Sequence, residues 1–393
     1  MSVKYCVGSY VTDYIDSDEQ LIKVCERASK RAFVILDTEF VRTKTLTPLL
    51  GLIQLNDGEH VSLIDPLALS DMSPFKTLLR NEKCVKVLHA CSEDLEAFLA
   101  SFGVVPAPVF DTQFAAHLTG IGTTMGYANL IEQLLGIVLD KGESRTDWLA
   151  RPLSLRQCEY AANDVIHLLP AYNIILEKLT PEQVNIVYAE SALIAEKKKA
   201  QLPDDFAYLT VKNAWRLNGK QRFVLRALAK WRIERARAKN MALNFVLREG
   251  AMLNIATYLP QSKTALAKIH GLTPMENRMV GAAVLQIVAD ALKDFETRGE
   301  QQGVPPVKRL SEIKTYKSVM AQLKQCVDGI AAETGIPSEI LSSKKQLHQL
   351  LKFSWFDIDE TRLQNLKPDV LSGWRKPLFE DKIHAILEQV AKQ

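Results

Sequence analysis

The chain has 393 residues, 47% of them hydrophobic and 24% charged, a composition typical of a soluble globular protein with two or three domains. No apolar run is long enough to span a bilayer, and residues 1–10 lack the pattern of a secretory signal. Six scattered cysteines without a CxxC pair indicate reduced thiols. We therefore expect a cytoplasmic protein that does not enter a membrane.

Charge is divided unevenly along the chain, although the formal net charge is only +3. Residues 1–190 carry 16 Lys and Arg against 25 Asp and Glu, a net charge of −9. Residues 191–393 carry 33 against 21, a net charge of +12. This division indicates a half that binds cations and a half that binds a polyanion. The alternative is an uneven distribution of charges over solvated surfaces.

The first half alternates short strands with helices. An apolar run at residues 33–36 ends at Asp37, and residues 49–55 and 60–64 flank the hairpin turn Asn56-Asp57-Gly58. The remaining elements are predicted as strands at 84–88 and 109–110, a helix at 92–102 and helical sequence over 113–199. This order predicts an α/β domain with a mixed sheet.

The second half is almost entirely helical. Boundaries are predicted at residues 201–204 and, from glycine and prolines, at 299–306. The two segments are similar in length and share a loose spacing of apolar residues, which favours an internal repeat. The predicted domains are residues 1–200, 211–298 and 308–393, and no heptad or apolar stripe requires a second copy, so we expect a monomer.

Acidic residues follow the strands of the first half. Asp37 and Glu39 are two residues apart at a strand end, which places both carboxylates on one face. Two such carboxylates repel each other unless a cation lies between them, and a hard divalent ion with oxygen ligands satisfies this requirement. Two solvated carboxylates at a strand end are the alternative.

Three more polar residues extend this set. Asp94 lies near the start of a helix that follows the strand at 84–88, where it could instead complement the helix dipole. Tyr160 and Asp164 are one helical turn apart and share a face. An ordinary amphipathic helix with a half-buried Tyr is the alternative for this pair.

Together, these residues and their surroundings carry a family resemblance. The stretches Leu-Asp-Thr-Glu-Phe-Val-Arg at 36–42, Ser-Glu-Asp-Leu-Glu at 92–96 and Ser-Arg-Thr-Asp-Trp-Leu at 144–149 resemble bacterial ribonuclease D, a DEDD exonuclease of the Tyr-containing subclass. The resemblance implies an RNase H-like fold and two Mg²⁺ or Mn²⁺ ions held by Asp37, Glu39, Asp94 and Asp164. It also implies that Tyr160 orients the attacking water and that the products are nucleoside 5′-monophosphates.

Other polar residues of this half have local explanations. We expect Asp111 to cap a helix. For His89, structural hydrogen bonds are favoured over a role as a ligand, and for Trp148, packing on the core is favoured over contact with substrate. His167 is interpreted as a packing residue. For Arg151, phosphate binding and an ordinary surface role remain open.

A basic helix opens the second half. Residues 212–239 contain ten Lys and Arg and a single acid, Glu234. Arg222, Arg226 and Lys230 recur every four residues on one face, which predicts binding to backbone phosphates. A solvated cationic face is the alternative.

A second resemblance covers the helical half. The sequences Asn-Phe-Val-Leu at 244–247 and Ile-His-Gly-Leu at 269–272 resemble an HRDC domain, and residues 310–393 resemble a degenerate copy. This implies a role in gripping structured RNA, such as a tRNA precursor, and presenting its 3′ end. Two rival functions remain open at this point: a proofreading-type DNA exonuclease, and a nucleic-acid-binding adaptor with an inactive nuclease fold.

Overall fold

The computed structural model describes residues 4–7, 10–140, 142–299 and 303–391. The chain divides into two compact units, Met1–Arg42 with Pro48–Lys199 and Thr43–Thr47 with Ala200–Gln393. Thr43–Thr47, inside the predicted first domain, thus groups with the helical unit. The chain ends used as domain limits, and part of the boundary predicted at 299–306, lie outside the described residues. Among the described helices, none is long and apolar enough to cross a membrane.

A mixed sheet forms the centre of the first unit, as predicted. Its described strands are β1 (Lys4–Val7), β2 (Tyr10–Ile15), β3 (Phe33–Val41), β4 (Leu49–Asn56), β5 (Val61–Ile64), β6 (Val85–Leu88) and β7 (Val109–Asp111). They lie in the order β1-β2-β5-β4-β3-β6-β7. β3 pairs antiparallel with β4 and parallel with β6, so it is central. β2 is not predicted from the sequence, since Val11 and Ile15 are its only aliphatic residues.

Helices cover both faces of the sheet. They are α1 (Asp18–Ala28), α2 (Ser73–Arg80), α3 (Ser92–Phe102), α4 (Thr112–Leu118), α5 (Tyr127–Leu135), α6 (Leu155–Ile166), α7 (Leu168–Glu177) and α8 (Pro181–Lys199). Val34, Leu36 and Leu55 belong to the core formed with α1, α2 and α3. Side chains alternate along a strand, so the next residue, Asn56, faces the other way, where its amide donates to the Val165 carbonyl of α6 at 3.1 Å.

The second unit contains two helical bundles with helices in the same order. The first has α9 (Gly219–Lys239), α10 (Leu243–Val246), α11 (Glu249–Tyr258), α12 (Lys263–Ala267) and α13 (Pro274–Arg298). The second has α14 (Tyr316–Thr334), α15 (Ser338–Leu341), α16 (Lys344–Trp355), α17 (Glu360–Leu363) and α18 (Lys376–Ala391). Short 3-10 turns precede α9 and α14. Each bundle has its own hydrophobic core.

The bundles also share a backbone feature where the first long helix ends. Asn240 ends α9 and Gly335 ends α14, both in the left-handed conformation, with φ of 42° and 70°. Glycine adopts this conformation freely and Asn tolerates it better than most residues. The four-residue helices α10 and α15 follow at the same interval, which supports the repeat predicted from apolar spacing.

Candidate active site

Strand β3 carries the first two acidic side chains. Val34, Ile35 and Leu36 are buried, and Asp37 and Glu39 are partly buried on one face of the strand. One carboxylate oxygen from each lies within 4.8 Å of the other and of one from Asp164. Strand geometry thus brings Asp37 and Glu39 together, and the packing of α6 on the sheet adds Asp164.

Asp94 reaches the same strand from α3, although it lies outside the group of three. The Thr38 hydroxyl, between Asp37 and Glu39, donates to the Asp94 carboxylate at 2.5 Å. Asp111 fixes the two residues that precede α3, because its carboxylate accepts hydrogen bonds from the backbone N–H groups of Ala90 at 2.9 Å and Cys91 at 3.0 Å. Ala90 has a left-handed φ of 55°, so these bonds maintain a backbone conformation that is uncommon for alanine.

Helix α6 presents Tyr160 and Asp164 one turn apart, as predicted. Its start is fixed by a capping box between Ser154 and Gln157. Near its end, the Tyr127 hydroxyl donates to the Asn163 carbonyl at 2.8 Å, in addition to the bond from Asn56 to Val165. Both ends of the segment that carries Tyr160 and Asp164 are therefore held by side-chain hydrogen bonds.

Ionisation of all four carboxyl groups at the same time is strongly unfavourable. Burial, and then the charges of Asp37, Asp164 and Asp94, raise the pKa of Glu39 to about 10. Burial raises the pKa of Asp164 to about 8. Burial and the Asp164 charge raise the pKa of Asp37 well above its ordinary value, and burial and the Asp37 charge do the same for Asp94. Full ionisation at neutral pH thus requires a compensating cation.

The donor set fits a hard divalent cation. Asp37, Glu39 and Asp164 offer closely grouped carboxylate oxygens, which Mg²⁺, Mn²⁺ and Ca²⁺ accept as ligands. Asp94 could add a fourth carboxylate from the neighbouring helix. A softer metal would be expected to recruit Cys or His, and this group of three contains neither.

Two cavities open beside Tyr160 and Asp164. One has a volume of about 280 Å³ and is also lined by Tyr127, and the other, of about 120 Å³, is lined by Glu143 and Arg156. Burial, then the charges of Asp164, Glu39 and Asp37, raise the pKa of the Tyr160 phenol. The phenol therefore stays protonated at neutral pH and is available as a hydrogen-bond donor.

Two residues beside the site are not predicted from the sequence. Tyr127 belongs to no recognisable spacing pattern. Gln54 is fully buried and pairs across the sheet with Asp37, which places the two side chains on one face. Its amide has no hydrogen-bond partner within the described part of the chain. A polar residue inside the apolar run at 49–55 is the signal that could have identified Gln54.

The predicted local roles can now be compared with the structure. Asp111 caps α4 by accepting from Gln113 N–H. His89 bonds the Thr112 hydroxyl and the Met125 carbonyl, both at 3.0 Å. Trp148 is buried, with its ring centroid 6.1 Å from that of Tyr160. These three predictions are confirmed. His167 lies at the junction of α6 and α7 and is half-buried.

The basic face of α9 makes intrachain contacts. Arg222 donates to the carbonyls of Val304 at 3.0 Å and Leu217 at 2.9 Å. Arg226 lies 3.8 Å from Asp294, and Lys230 lies 3.1 Å from Asp205. Of the apolar side chains that the helical spacing offers to the core, Val224, Leu225 and Leu228 are fully buried, and Trp231 is partly buried against the same core. Phosphate binding by the three cations stays a prediction, and it would compete with these contacts.

Three segments match known protein families. Residues 12–180 match the family described as 3′-5′ exonuclease, residues 221–288 the HRDC domain, and residues 315–383 the C-terminal HRDC domain of ribonuclease D. The carboxylates and Tyr160 all lie within the first match. The fold predicted from the sequence, an exonuclease domain followed by two HRDC-type bundles, is confirmed.

Relatives match over nearly the whole chain. Ribonuclease D of Escherichia coli (strain K12) is 39% identical over 95% of this chain and 98% of its own length. That of Haemophilus influenzae (strain Rd) is 39% identical over 98% and 95%. The crystal structure of E. coli RNase D, described as an exoribonuclease involved in structured RNA processing, superposes with a TM-score of 0.90, 38% identity and coverage of 97% and 99%.

Proposed function

This chain belongs to the ribonuclease D family, and from that premise we propose how its 3′→5′ exoribonuclease activity works and on which RNAs it acts. The proposal has Asp37, Glu39, Asp94 and Asp164 hold two divalent metal ions, Mg²⁺ or Mn²⁺. The observation that carries it is the group of three carboxylates within 4.8 Å, two of them from one strand and the third from α6. When bound, the ions would supply charge that stabilises the attacking and leaving oxygens of an in-line displacement.

The chain's own residues have separate roles in this proposal. The Thr38 hydroxyl keeps the Asp94 carboxylate turned toward β3 through its hydrogen bond. Tyr160 donates from its protonated phenol to orient the water that attacks the terminal phosphodiester. Trp148 packs beside the Tyr160 ring and restricts its rotation. Hydrolysis breaks the bond between phosphorus and the 3′ oxygen of the penultimate nucleotide, so the terminal nucleotide leaves as a nucleoside 5′-monophosphate.

We further propose that the substrates are tRNA precursors and other small structured RNAs with a free 3′ end. The name of the E. coli relative's structure associates that protein with structured RNA. In this chain, the net charge of +12 over residues 191–393 provides long-range attraction for a folded polyanion. We place the first HRDC domain at 211–298 and the second at 308–393, following the exonuclease domain at 1–200, and expect a monomer.

A single digestion experiment tests the central proposal. A tRNA precursor labelled at its 3′ end is incubated with the enzyme and Mg²⁺, and the products are separated by thin-layer chromatography. We expect labelled nucleoside 5′-monophosphate with Mg²⁺ and no product in EDTA. Products carrying a 3′ phosphate, or equal activity in EDTA, would contradict the mechanism.

A second comparison tests the choice of substrate. A ribo-oligonucleotide and a deoxyribo-oligonucleotide of one sequence are digested under the same conditions. Faster release from RNA is expected, and a preference for DNA would favour the proofreading-type alternative. Faster digestion of an unstructured RNA than of a tRNA precursor would argue against structured substrates.

A further inference from the structure

An apolar groove lies on the surface of the helical unit. Phe245, Met275 and Met279 contribute to its lining and are 51%, 68% and 54% exposed. Its volume is about 490 Å³, within the range of about 300–1,000 Å³ that is usual for small-ligand sites. Single exposed apolar residues are common, whereas three around one groove indicate a binding surface.

Hydrogen bonds hold one wall of the groove in place. The side-chain carbonyl of Asn240 accepts from the backbone N–H of Thr47 at 3.1 Å and from its hydroxyl at 3.0 Å. The N–H of Ala242 donates to the Lys44 carbonyl at 2.8 Å. The segment Thr43–Thr47 is thereby fixed against the end of α9. A wall that is already ordered reduces the entropy cost of binding a ligand.

A second part of the groove lining is also fixed. Arg248 donates through Nε and Nη2 to Glu276 at 3.0 and 2.8 Å. Glu276 in turn accepts from the backbone N–H of Thr273 at 2.8 Å, within the capping box that begins α13. The Glu276 carboxylate therefore already accepts hydrogen bonds from Arg248 and Thr273.

Cations surround the apolar residues. Lys44, Lys239 and Arg248 line the groove and are exposed, and Glu276 is the acidic residue of its lining. Because Glu276 is paired with Arg248, the charge that remains for a ligand is positive. An aromatic ring and flexible thioethers bordered by positive charge suit a nucleobase whose flanking phosphates meet the cations.

We propose that this groove, the Phe245 groove, binds unpaired nucleobases of the RNA substrate, with a base stacked on the Phe245 ring and phosphates near Lys44 and Lys239. The inference rests on the proposed function, because it requires RNA as the substrate. Bases in a duplex are stacked and their faces are covered, so the groove selects single-stranded RNA, such as a 3′ extension next to a structured region.

Fluorescence anisotropy tests the proposal in the full-length protein. A labelled RNA hairpin with a single-stranded 3′ extension is titrated with protein in EDTA, which suppresses cleavage. Phe245→Ser is expected to raise Kd by about fivefold or more, because stacking of one base on an aromatic ring contributes at least that much. The matched control is Tyr258→Ser. Tyr258 is an aromatic residue that is 69% exposed on the same bundle but does not line the groove. The Kd of the Tyr258→Ser variant for the RNA is expected to equal that of the wild type.

The proposed contacts between Lys239 and RNA phosphates are tested separately, through the salt dependence of Kd. Lys239→Gln should weaken binding regardless of base sequence and reduce the slope of log Kd against log salt by about 1. The blunt-ended hairpin should lose little affinity in Phe245→Ser, since it offers no unpaired base. Equal losses for the blunt and extended hairpins would overturn the stacking proposal.

A second variant keeps the test decisive if Phe245→Ser unfolds, which thermal melting would reveal. Phe245→Trp should bind the extended hairpin at least as tightly as the wild type, and its added indole fluorescence should be quenched by the RNA. Unchanged Kd in Phe245→Ser, or absent quenching in Phe245→Trp, would overturn the inference. If the wild type self-associates and Phe245→Ser remains monomeric, the groove is instead a contact between two copies of the chain, and the inference is overturned.

Failure of the inference and failure of the proposed function are distinguishable. If the wild type releases no mononucleotides from RNA with Mg²⁺, the proposed function fails. If it does release them while Phe245→Ser binds the extended hairpin as tightly as the wild type, only the inference fails.

Discussion

Arg151 donates two hydrogen bonds to Asp65, from Nε to Oδ2 at 2.6 Å and from Nη2 to Oδ1 at 2.7 Å. The same guanidinium donates to the carbonyls of Gly51, Trp148 and Ala150. These bonds fasten the segment before α6 to strand β4 and to the end of β5. Of the two roles left open for Arg151, phosphate binding is disfavoured because its donors are engaged within the unit.

Breaking this ion pair should destabilise the exonuclease unit. Asp65 is 3% exposed, so Arg151→Met leaves a buried carboxylate without its cation. We expect the free energy of unfolding to fall by about 3 kcal/mol or more in urea titrations. The double variant Arg151→Met with Asp65→Leu should recover part of that loss, because no charge then remains buried. Equal stability of Arg151→Met and wild type would show that the pair contributes little.

The pair also predicts a pH dependence. Burial raises the pKa of Asp65, but hydrogen bonds from Arg151 and Tyr14 outweigh it, and the net pKa is lowered. A lowered pKa in the folded state gives stability that is present above the unfolded value of about 3.9 and is lost as pH falls further. The stability advantage of wild type over Asp65→Asn should therefore be constant from pH 7 to about 5 and shrink below. An advantage that grows on acidification would contradict this sign.

Gly51 allows the same segment to approach β4. A Cβ atom at this position would lie 2.4 Å from the Trp148 carbonyl oxygen, so Gly51→Ala forces a backbone shift. We expect a loss of about 1–3 kcal/mol in unfolding free energy, together with slower RNA hydrolysis because Trp148 packs on Tyr160. Gly250→Ala is the control, since nothing lies within 4 Å of the added atom there. A shared loss in both variants would argue against a specific close approach.

Asp37→Asn should abolish cleavage while improving stability without metal. Substituting a residue that only holds a metal ligand in place typically lowers metal affinity or activity by about 10–100-fold. Removal of a proposed ligand itself should therefore reduce kcat by more than about 100-fold. In EDTA the variant should resist urea better than wild type, because one member of a group of mutually repelling carboxylates is replaced by a neutral amide. Mg²⁺ should then stabilise the wild type more than the variant.

The control for this experiment is Asp16→Asn, an exposed carboxylate outside the site. It should match the wild type in cleavage, in urea resistance and in the response to Mg²⁺. Normal turnover of Asp37→Asn at saturating Mg²⁺ would contradict the assignment of the metal site.

Tyr160→Phe should separate water positioning from metal binding. We expect kcat to fall by about 100-fold, the cost of a poorly placed reactant, with little change in Mg²⁺ affinity measured by calorimetry. Affinity should persist because the grouped oxygens belong to carboxylates. In Tyr127→Phe, the lost bond to Asn163 should instead lower stability by about 1 kcal/mol. An unchanged rate in Tyr160→Phe would remove the phenol from the mechanism.

The sequence by itself determined which site residues share a face of one strand or one helix, because this depends only on local periodicity. The two-residue repeat of a strand brings Asp37 and Glu39 to one face, and the four-residue turn of a helix aligns Tyr160 with Asp164. The caps at Asp111 and Ser154 depend only on residues a few positions away. Such relationships lie within one element, so neighbouring residues are sufficient to specify them.

Tertiary structure decided which elements meet. Gln54 lies opposite Asp37 because of the register between β4 and β3, and Thr38 reaches Asp94 because α3 packs on the sheet. The basic face of α9 illustrates the same limit, since its spacing predicts exposed cations while Arg222 donates to the carbonyl of the distant residue Val304. Contacts across a long sequence separation depend on strand order and helix packing, and no local repeat encodes them.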